Sequence, residues 1–292
     1  MRDVLEELLH QLRLERIEER IFRGQSQDLG WGAVFGGQVL GQALSAAAQT
    51  VPPERGVHSM HAYFLRQGDA RAPIVYEVEP ARDGGTFTTR RVVAVQHGQP
   101  IFILSASFQV EEGGYDHAEP APLDVAGPDG LLSEQELAQR VADEIPEPLR
   151  AMALADRPIE IRPVTRWNLL RPAKLPPRRQ LWYRASSRLP DDPAVHRYLL
   201  AYASDFNFLP TAMMPHGVSW VTPGMQVASL DHAMWFHRPF RFDEWLLYDV
   251  QSPSASGGRG LVLGRFYTRD GLLVASVAQE GLMRNRSVSW AG

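Results

Sequence analysis

The sequence predicts an α+β protein built of two similar units, each a long helix followed by antiparallel strands. Each half of the 292-residue chain has a helix-type segment ahead of several segments with strand-type alternation. Turn sequences such as Asp83-Gly84-Gly85 and His97-Gly98 separate neighbouring strands, as they do in hairpins. A helix packed on each sheet would cover the apolar face of that sheet.

In the first half, residues 3–13 carry apolar side chains on one stripe and predict a short helix, followed by a short strand and a glycine-rich loop. Residues 34–49 predict a helix in which Gly37, Gly41 and Ser45 share one face. Interior glycine costs a helix about 1 kcal/mol, so we expect a sheet, a partner or a ligand to approach this face closely. The strands that follow are predicted at 58–66, 74–83, 86–97 and 100–110.

The middle of the chain is rich in proline between residues 120 and 177. Ser133 and Glu136 form a capping box for one short helix in this region. We therefore predict an N-terminal unit at 1–114, a proline-rich linker with a short helix at 115–157, and a C-terminal unit at 158–292.

The second half repeats the order of the first. Asp192 and Pro193 supply the cap and first-turn proline of a helix from about 193 to 213. Strands are predicted at 159–164, 181–189, 225–238, 245–252, 259–270 and 272–283.

Three pairs of segments indicate a duplication, because each pair is separated by nearly the same number of residues. The pairs are His61-Ala-Tyr-Phe with His232-Ala-Met-Trp, 171 residues apart, Val75-Tyr-Glu-Val with Leu247-Tyr-Asp-Val, 172 apart, and His97-Gly98 with Asp270-Gly271, 173 apart.

Composition and charge narrow the class of protein. Apolar residues make up 44% and charged residues 22%, the net charge is −4, and there is no cysteine. We expect no nucleic acid or membrane partner, since there is no basic block and no apolar run of the roughly 18–20 residues that a membrane span needs. The charged N-terminal segment does not resemble a signal peptide, and the last residues carry no targeting tripeptide, so the expected location is cytoplasmic.

Most standard catalytic motifs are absent. Ser26 lies in a sequence that lacks the second glycine of a nucleophile elbow, and the glycine-rich segment at 254–260 falls between two strands, where a hairpin loop is the better interpretation. His58 and His61 are three apart in a predicted strand and would point to opposite faces, which argues against a shared metal ion. His232 and His237 are five apart and would also face apart, so we predict no metal site.

Asp205 stands out because it interrupts the apolar pattern of the second long helix. A carboxylate among aromatic neighbours needs donors or a bound water, and is a candidate general base. The ordinary alternative is an aspartate that reaches solvent or a salt bridge. Ser229 and Gln279 lie on predicted strands that could reach it, but each could equally be an ordinary strand residue, and spacing alone does not bring the three together.

Long stretches around these residues resemble the acyl-CoA thioesterase II family, which comprises bacterial TesB and its peroxisomal relatives. The resemblance runs from about residue 5 to about residue 285. It rests on "FRGQS", "VFGGQVLGQAL", "VHSMHAYFLR", "YASDFNFLP", "DHAMWFHRPF", "EWLLYDVQS" and "VASVAQEGLMR". It implies a double-hotdog fold, hydrolysis of acyl-CoA thioesters, no cofactor beyond the CoA of the substrate, and a homodimer or homotetramer.

The resemblance also implies a catalytic trio of Asp205, Ser229 and Gln279, which would hold the attacking water. Bacterial members often have threonine where Ser229 stands. The offsets of the duplication place His58, Ala106 and Gly37 at the corresponding positions of the first half, so we expect one active site per chain.

The sequence gives only candidates for the oxyanion donors, the CoA-binding cations and the acyl tunnel. Backbone N–H groups at a helix N-terminus are expected to bind the oxyanion. Candidate cations for the CoA phosphates are Arg66, Arg90, Arg91 and Arg259. Candidate residues of an acyl tunnel, for most of which core packing is the more ordinary role, are Phe206, Phe208, Met213, Met214, Met234 and Trp235.

Two other functions compete with thioester hydrolysis. A hotdog hydratase or dehydratase would need a histidine beside a carboxylate, and His58 or His61 could supply it. A protein that binds acyl-CoA without turning it over is the third hypothesis, against which the retained trio counts.

Overall fold

The computed structural model describes residues 3–147 and 149–287. The predicted ends of the two units at 1–2 and 288–292, and Pro148 of the predicted linker, lie outside the described residues. The α-helices are α1 (Val4–Leu12), α2 (Gly36–Ala48), α3 (Glu134–Arg140), α4 (Leu149–Leu154), α5 (Pro193–Ser204) and α6 (Pro210–Met213).

The strands of the described residues follow the helices in consecutive runs, as predicted for an α+β protein. They are β1 (Glu15–Glu18), β2 (Ile21–Gly24), β3 (Arg55–Phe64), β4 (Ile74–Asp83), β5 (Phe87–Gln96), β6 (Gln99–Val110), β7 (Ile159–Pro163), β8 (Arg178–Ala185), β9 (Met225–Ser229), β10 (Asp231–Phe236), β11 (Leu246–Ser256), β12 (Arg259–Thr268) and β13 (Leu273–Asn285).

All of these strands belong to one antiparallel sheet. Its order is β1-β2-β4-β5-β6-β3-β10-β13-β12-β11-β8-β7, and β9 pairs with β13 outside this path. The two halves of the chain meet where β3 pairs with β10. The sheet is therefore continuous across both halves, and the unit boundaries at 115 and 158 stay a prediction.

The two long helices, α2 and α5, pack against each other on the inner face of the sheet. A Cβ atom built at Gly37 would lie 2.1 Å from the carbonyl oxygen of Tyr202, and one built at Gly41 would lie 3.1 Å from that of Tyr198. These contacts run in opposite chain directions, so the helices are antiparallel. The small-residue face of α2 is thus explained by two other helices, α5 at Gly37 and Gly41 and α1 at Gly41 and Ser45, rather than by the sheet, partner or ligand that we expected.

The second half departs from the predicted elements at two places. The predicted helix from about 193 to 213 is two helices, because α5 ends at Ser204 and α6 begins only at Pro210. Asn207 lies between them with a φ of 59°, a left-handed conformation that no α-helix continues. The predicted strand at 225–238 is also two strands, β9 and β10, which separate at Leu230.

The predicted linker contains two short helices, α3 and α4, where one was predicted. The capping box of α3 is confirmed, because Ser133 and Glu136 exchange both hydrogen bonds. Strand β1 was not predicted, since all four of its residues are exposed and show no alternation.

The duplication needs a correction of one residue in the strands at the centre. His61 is exposed whereas His232 is completely buried, so the 171-residue offset matches an outward side chain with an inward one. A slip of one residue turns every side chain of a strand to the other face. The inward counterpart of His232 is Met60, 172 residues earlier, and Tyr76 and Tyr248 keep the same offset with both rings buried.

Candidate active site

Asp205 directly follows the last residue of α5 and is partly exposed. A carboxylate at the C-terminal end of a helix meets the negative end of the helix dipole, which is unfavourable. The N-terminus of α2 compensates from the other side, since a Cβ atom built at Gly36 would lie 2.6 Å from Oδ2 of Asp205. Gly37, which we had expected to be the counterpart of Asp205, is instead the second residue of α2 and lies against it.

The structure brings the three predicted residues together from three elements. Ser229 is the last residue of β9, and Gln279 lies on β13, to which β9 pairs. The Nε2 group of Gln279 donates to Oγ of Ser229 at 3.0 Å, and that hydroxyl donates to Oδ1 of Asp205 at 3.3 Å. The carboxylate of Asp205 is therefore the final acceptor of two consecutive hydrogen bonds.

Burial raises the pKa of Asp205 above its ordinary value. A positive charge on His232 would act in the opposite direction, and the side chains of Gln279 and Ser229 and the backbone N–H of Gly37 do so with the ring neutral. A carboxylate with a raised pKa is a stronger base than one in water, which suits proton abstraction.

His232 is a site residue for which sequence analysis predicted no role. Its Nδ1 atom lies 2.6 Å from Oε1 of Gln279, and its Nε2 atom lies 3.0 Å from Oγ of Ser204. Burial lowers the pKa of His232 and favours the neutral ring. The alternation of His232, Met234 and Phe236 along β10 is the signal that could have placed it on the inner face.

The chain after Asp205 is held by groups from distant parts of the sequence. Arg179 of β8 donates through Nη1 to Oδ1 of Asn207 at 3.0 Å, and Asn207 donates through Nδ2 to Oε1 of Glu134 at 3.0 Å. The hydroxyl of Tyr183 donates to the carbonyl oxygen of Phe206, also at 3.0 Å. Helix α3, which lies within the predicted linker, thus reaches the segment that follows Asp205.

Of the predicted tunnel residues, only Phe206 lies beside Asp205 with its ring partly buried, where it stacks on Phe35 with ring centroids 4.2 Å apart. Trp235 lies on the outer face of the sheet, edge-on to His61. The other four are fully buried core residues: Phe208, Met213, Met214 and Met234.

The candidate cations are spread over the molecule. Arg90 is buried and donates to the side chain and backbone of Thr50, just beyond the C-terminal end of α2. That end is about 17 Å from Gly37, since α2 runs from Gly36 to Ala48. Arg91 and Arg259 form exposed ion pairs with Glu79 and Glu280, and Arg66 donates to the carbonyl oxygen of Pro100.

The two histidines of the hydratase hypothesis have other contacts. His58 shares a 2.8 Å hydrogen bond with Ser107 and packs against Phe87. His61 is on the outer face of the sheet, whereas Asp205 is among the helices of the inner face.

Two kinds of feature are absent from the described ranges, 3–147 and 149–287. Their histidine, aspartate and glutamate residues form no group of three or more that could hold a metal ion. No helix within these ranges has the length and apolar character to span a membrane.

Comparison with known proteins relates the whole chain to thioesterases. The acyl-CoA thioesterase family model matches residues 148–282, and the model of the acyl-CoA thioesterase N-terminal domain matches residues 26–109. Acyl-CoA thioesterase 2 of Haemophilus influenzae is 45% identical over 284 residues, which cover 97% of this chain and 99% of that protein.

Solved structures give the same result for the fold. An acyl-CoA thioesterase II of Mycobacterium marinum is 44% identical, with a TM-score of 0.76 over 97% of this chain and 99% of that one. A protein of unknown function with the hot dog fold from Alicyclobacillus acidocaldarius has a TM-score of 0.75 over 95% of this chain and 98% of that one, at 20% identity.

Proposed function

We propose a mechanism from the premise that this chain belongs to the acyl-CoA thioesterase II (TesB-like) family and is a thioester hydrolase of the double-hotdog fold. The reaction is hydrolysis of an acyl-CoA thioester to free CoA and a carboxylic acid. In our proposal Asp205, Ser229 and Gln279 hold the water that attacks the thioester carbonyl. The observation that carries it is the convergence of these three side chains, with donors directed at one partly exposed carboxylate.

Asp205 is the general base of the proposed reaction. Its carboxylate takes a proton from the water while the water oxygen bonds to the carbonyl carbon, which gives a tetrahedral oxyanion. When the oxyanion collapses, the carbon–sulfur bond breaks and the CoA thiolate leaves, and the proton on Asp205 passes to the sulfur. General-base assistance of this kind is worth about 10²–10⁴-fold in rate.

Ser229 and Gln279 position the reacting groups. The hydroxyl of Ser229 orients the carboxylate of Asp205 through its 3.3 Å hydrogen bond. The Nε2 group of Gln279 has two N–H bonds and donates one to Ser229. The second faces the carboxylate of Asp205, where we propose that it also binds the water.

The N-terminus of α2 is the proposed source of oxyanion stabilisation. The backbone N–H groups of Gly36 and Gly37 open this helix and have no acceptor within it. The N–H of Gly37 bonds to the carboxylate of Asp205, which leaves that of Gly36 for the oxyanion. Both N–H groups belong to the same helix end. They carry the positive end of its dipole, and they lie beside Asp205, where charge develops in the reaction.

The remaining parts of the proposal follow from the reaction. Hydrolysis needs no cofactor, since CoA is part of the substrate, and no covalent acyl-enzyme. One site per chain is proposed, because the trio occurs only in the second half, and a homodimer or homotetramer stays an expectation.

The proposal is tested by following the fate of the substrate. Purified protein is given saturated acyl-CoA of graded chain lengths and an enoyl-CoA, with free thiol and loss of the double bond measured in parallel. We expect thiol release, and a decrease in kcat of about 10²–10⁴-fold in Asp205→Asn, which keeps the shape of the side chain but removes the base.

Two results would contradict the proposal. Full thiol release by Asp205→Asn would exclude the assigned base. Hydration of the enoyl-CoA without thiol release would favour the hydratase, and that hydration would have to depend on His58 or His61.

A further inference from the structure

We infer that His232 is a positioning residue that holds the carboxamide of Gln279 in the orientation that directs its N–H bonds toward Ser229. The inference rests on the proposed function, because it concerns the geometry of the proposed trio. His232 itself does not bond to Asp205 or Ser229, because its two ring nitrogens are taken up by Gln279 and Ser204.

The direction of each hydrogen bond follows from the types of atom involved. Oε1 of Gln279 can only accept, so the Nδ1 atom of His232, 2.6 Å away, must carry the hydrogen. In a neutral ring Nε2 is then an acceptor, and the hydroxyl of Ser204, 3.0 Å away, donates to it. Ser204 also lies 2.9 Å from the carbonyl oxygen of Ala201, but its single hydrogen serves Nε2 when the ring is neutral.

Four hydrogen bonds therefore run in one direction and end on the catalytic carboxylate. Ser204 donates to His232, His232 to Gln279, Gln279 to Ser229, and Ser229 to Asp205. Each of the three residues in the middle of the series accepts one hydrogen bond and donates the next.

A half-turn of the carboxamide would undo this arrangement. Oε1 of Gln279 would then face Ser229, whose hydroxyl would donate to Gln279 instead of Asp205. The face toward the substrate would present an acceptor where the proposed mechanism needs a donor for the water. The two orientations occupy nearly the same volume, so packing does not select between them, and the hydrogen on Nδ1 of His232 does.

The first half shows that the fold does not require a polar residue here. Met60 and Ala106 oppose each other on β3 and β6, at the positions that correspond to His232 and Gln279, and both are buried. Burying a polar pair such as His232 and Gln279 costs free energy unless the two bond to each other. Packing alone therefore does not explain why the second half has a polar pair at this place.

The test compares two substitutions at one position. His232→Met installs the residue that the first half has there, and removes the donor to Gln279. His232→Asn keeps a side-chain N–H at the place of Nδ1. We expect kcat to fall about 10–100-fold in His232→Met with KM changed by less than about twofold, and to return to within about fivefold of wild type in His232→Asn.

A double-mutant cycle separates positioning from simple destabilisation. If His232 acts through Gln279, adding His232→Met to Gln279→Ala should lower kcat by less than about twofold further. Ser204→Ala removes the hydrogen bond that fixes the tautomer of the His232 ring, and should lower kcat severalfold. This variant tests the inference independently if His232→Met does not fold.

His196 supplies the matched control. It is also a buried histidine, with its Nε2–H donated to the carbonyl oxygen of Pro190 and its Nδ1 accepting from the backbone of Phe242, but it lies in the first turn of α5, far from Asp205. His196→Met should lower the melting temperature and leave the kcat of the folded enzyme unchanged.

The outcomes that overturn the inference differ from those that overturn the proposed function. A positioning role would be refuted by a wild-type kcat in His232→Met or Ser204→Ala, or by equal losses of kcat in the Met and Asn variants. It would also be refuted if the losses from His232→Met and Gln279→Ala multiplied in the double mutant. In each of these cases Asp205→Asn would still be inactive. Activity in Asp205→Asn would instead refute the mechanism itself.

Discussion

The two halves of the chain fill one matching place in the sheet in opposite ways. In the first half Met60 faces Ala106 across β3 and β6, and both are in the apolar core. In the second half His232 faces Gln279 across β10 and β13, with a hydrogen bond of 2.6 Å between them. The same architecture is stable with an apolar pair, so the polar pair is not demanded by the fold, and it marks the half that carries the proposed site.

The long helices differ in a complementary way. Helix α2 is unbroken and brings its N-terminus to Asp205, whereas α5 ends at Ser204 and leaves Asp205 outside the helix. The first half therefore contributes a helix dipole and the second half contributes the carboxylate. In our proposal the duplicated fold thus forms one composite site, with different parts from each half.

The largest effect that would sharpen this comparison is expected at Gln279. Gln279→Ala removes the donor to Ser229 and the second N–H, which faces Asp205, and we expect kcat to fall by about 10²–10³-fold. Met60→Ala, at the apolar place of the first half, is the control and should lower the free energy of unfolding by about 2–5 kcal/mol with kcat of the folded enzyme retained. Steady-state kinetics and denaturant unfolding of both variants measure this, and a reversed pattern would contradict the assignment.

The next largest effect is expected at Ser229. Ser229→Ala removes the hydrogen bond to the Asp205 carboxylate, and since such a bond to a charged group is worth about 1.5–3 kcal/mol, kcat should fall by about 10–100-fold. Ser229→Thr keeps the hydroxyl and should retain most of the activity. Equal rates in the alanine and threonine variants would show that the hydroxyl has no role.

The pH dependence tests the raised pKa of Asp205. Only the carboxylate form can take a proton, so kcat/KM should fall about tenfold for each pH unit below this pKa. Because burial raises it, the fall should begin at a higher pH than for an aspartate with the ordinary value of 3.8. A pH profile of the wild type that stays flat down to the ordinary value would contradict the assigned environment, and the residual activity of Asp205→Asn should lack this limb.

The smallest effect is expected at the contact between the two helices. Gly37→Ala places a methyl group against the backbone of Tyr202, which should cost about 1–3 kcal/mol of stability and move the N-terminus of α2 away from Asp205. Gly113→Ala, where nothing lies within 4 Å of an added Cβ atom, is the matched control. The melting temperature and kcat should both fall in Gly37→Ala, and neither should fall in Gly113→Ala.

Much of the fold and part of the site follow from local pattern. The alternation of the strands and the caps of α3 and α5 place most elements within a few residues, and a charge in an apolar helix identifies Asp205. The resemblance to a known family supplied Ser229 and Gln279 as its partners, and the structure brings the three together.

The remaining features depend on contacts between residues far apart in the sequence. The end of α5 is set by Asn207, which is held by Arg179 and Glu134, 28 and 73 residues away. His232 was matched with His61 because both are histidines, but identity of type does not report which face a side chain occupies. The approach of Gly37 to Asp205 likewise depends on how two helices pack, which periodicity does not describe.

The central claim is that a water held by the trio attacks the thioester directly, without an acyl-enzyme. A single turnover in ¹⁸O-labelled water, with enzyme in excess over acyl-CoA and the protein quenched at successive times for mass spectrometry, tests this most directly. We expect one ¹⁸O atom in the carboxylic acid product, none in the protein, and no acyl group on any peptide of the quenched protein. An acylated peptide containing Ser229 or Asp205, or an unlabelled acid with ¹⁸O in the Asp205 peptide, would show a covalent intermediate and would contradict the account.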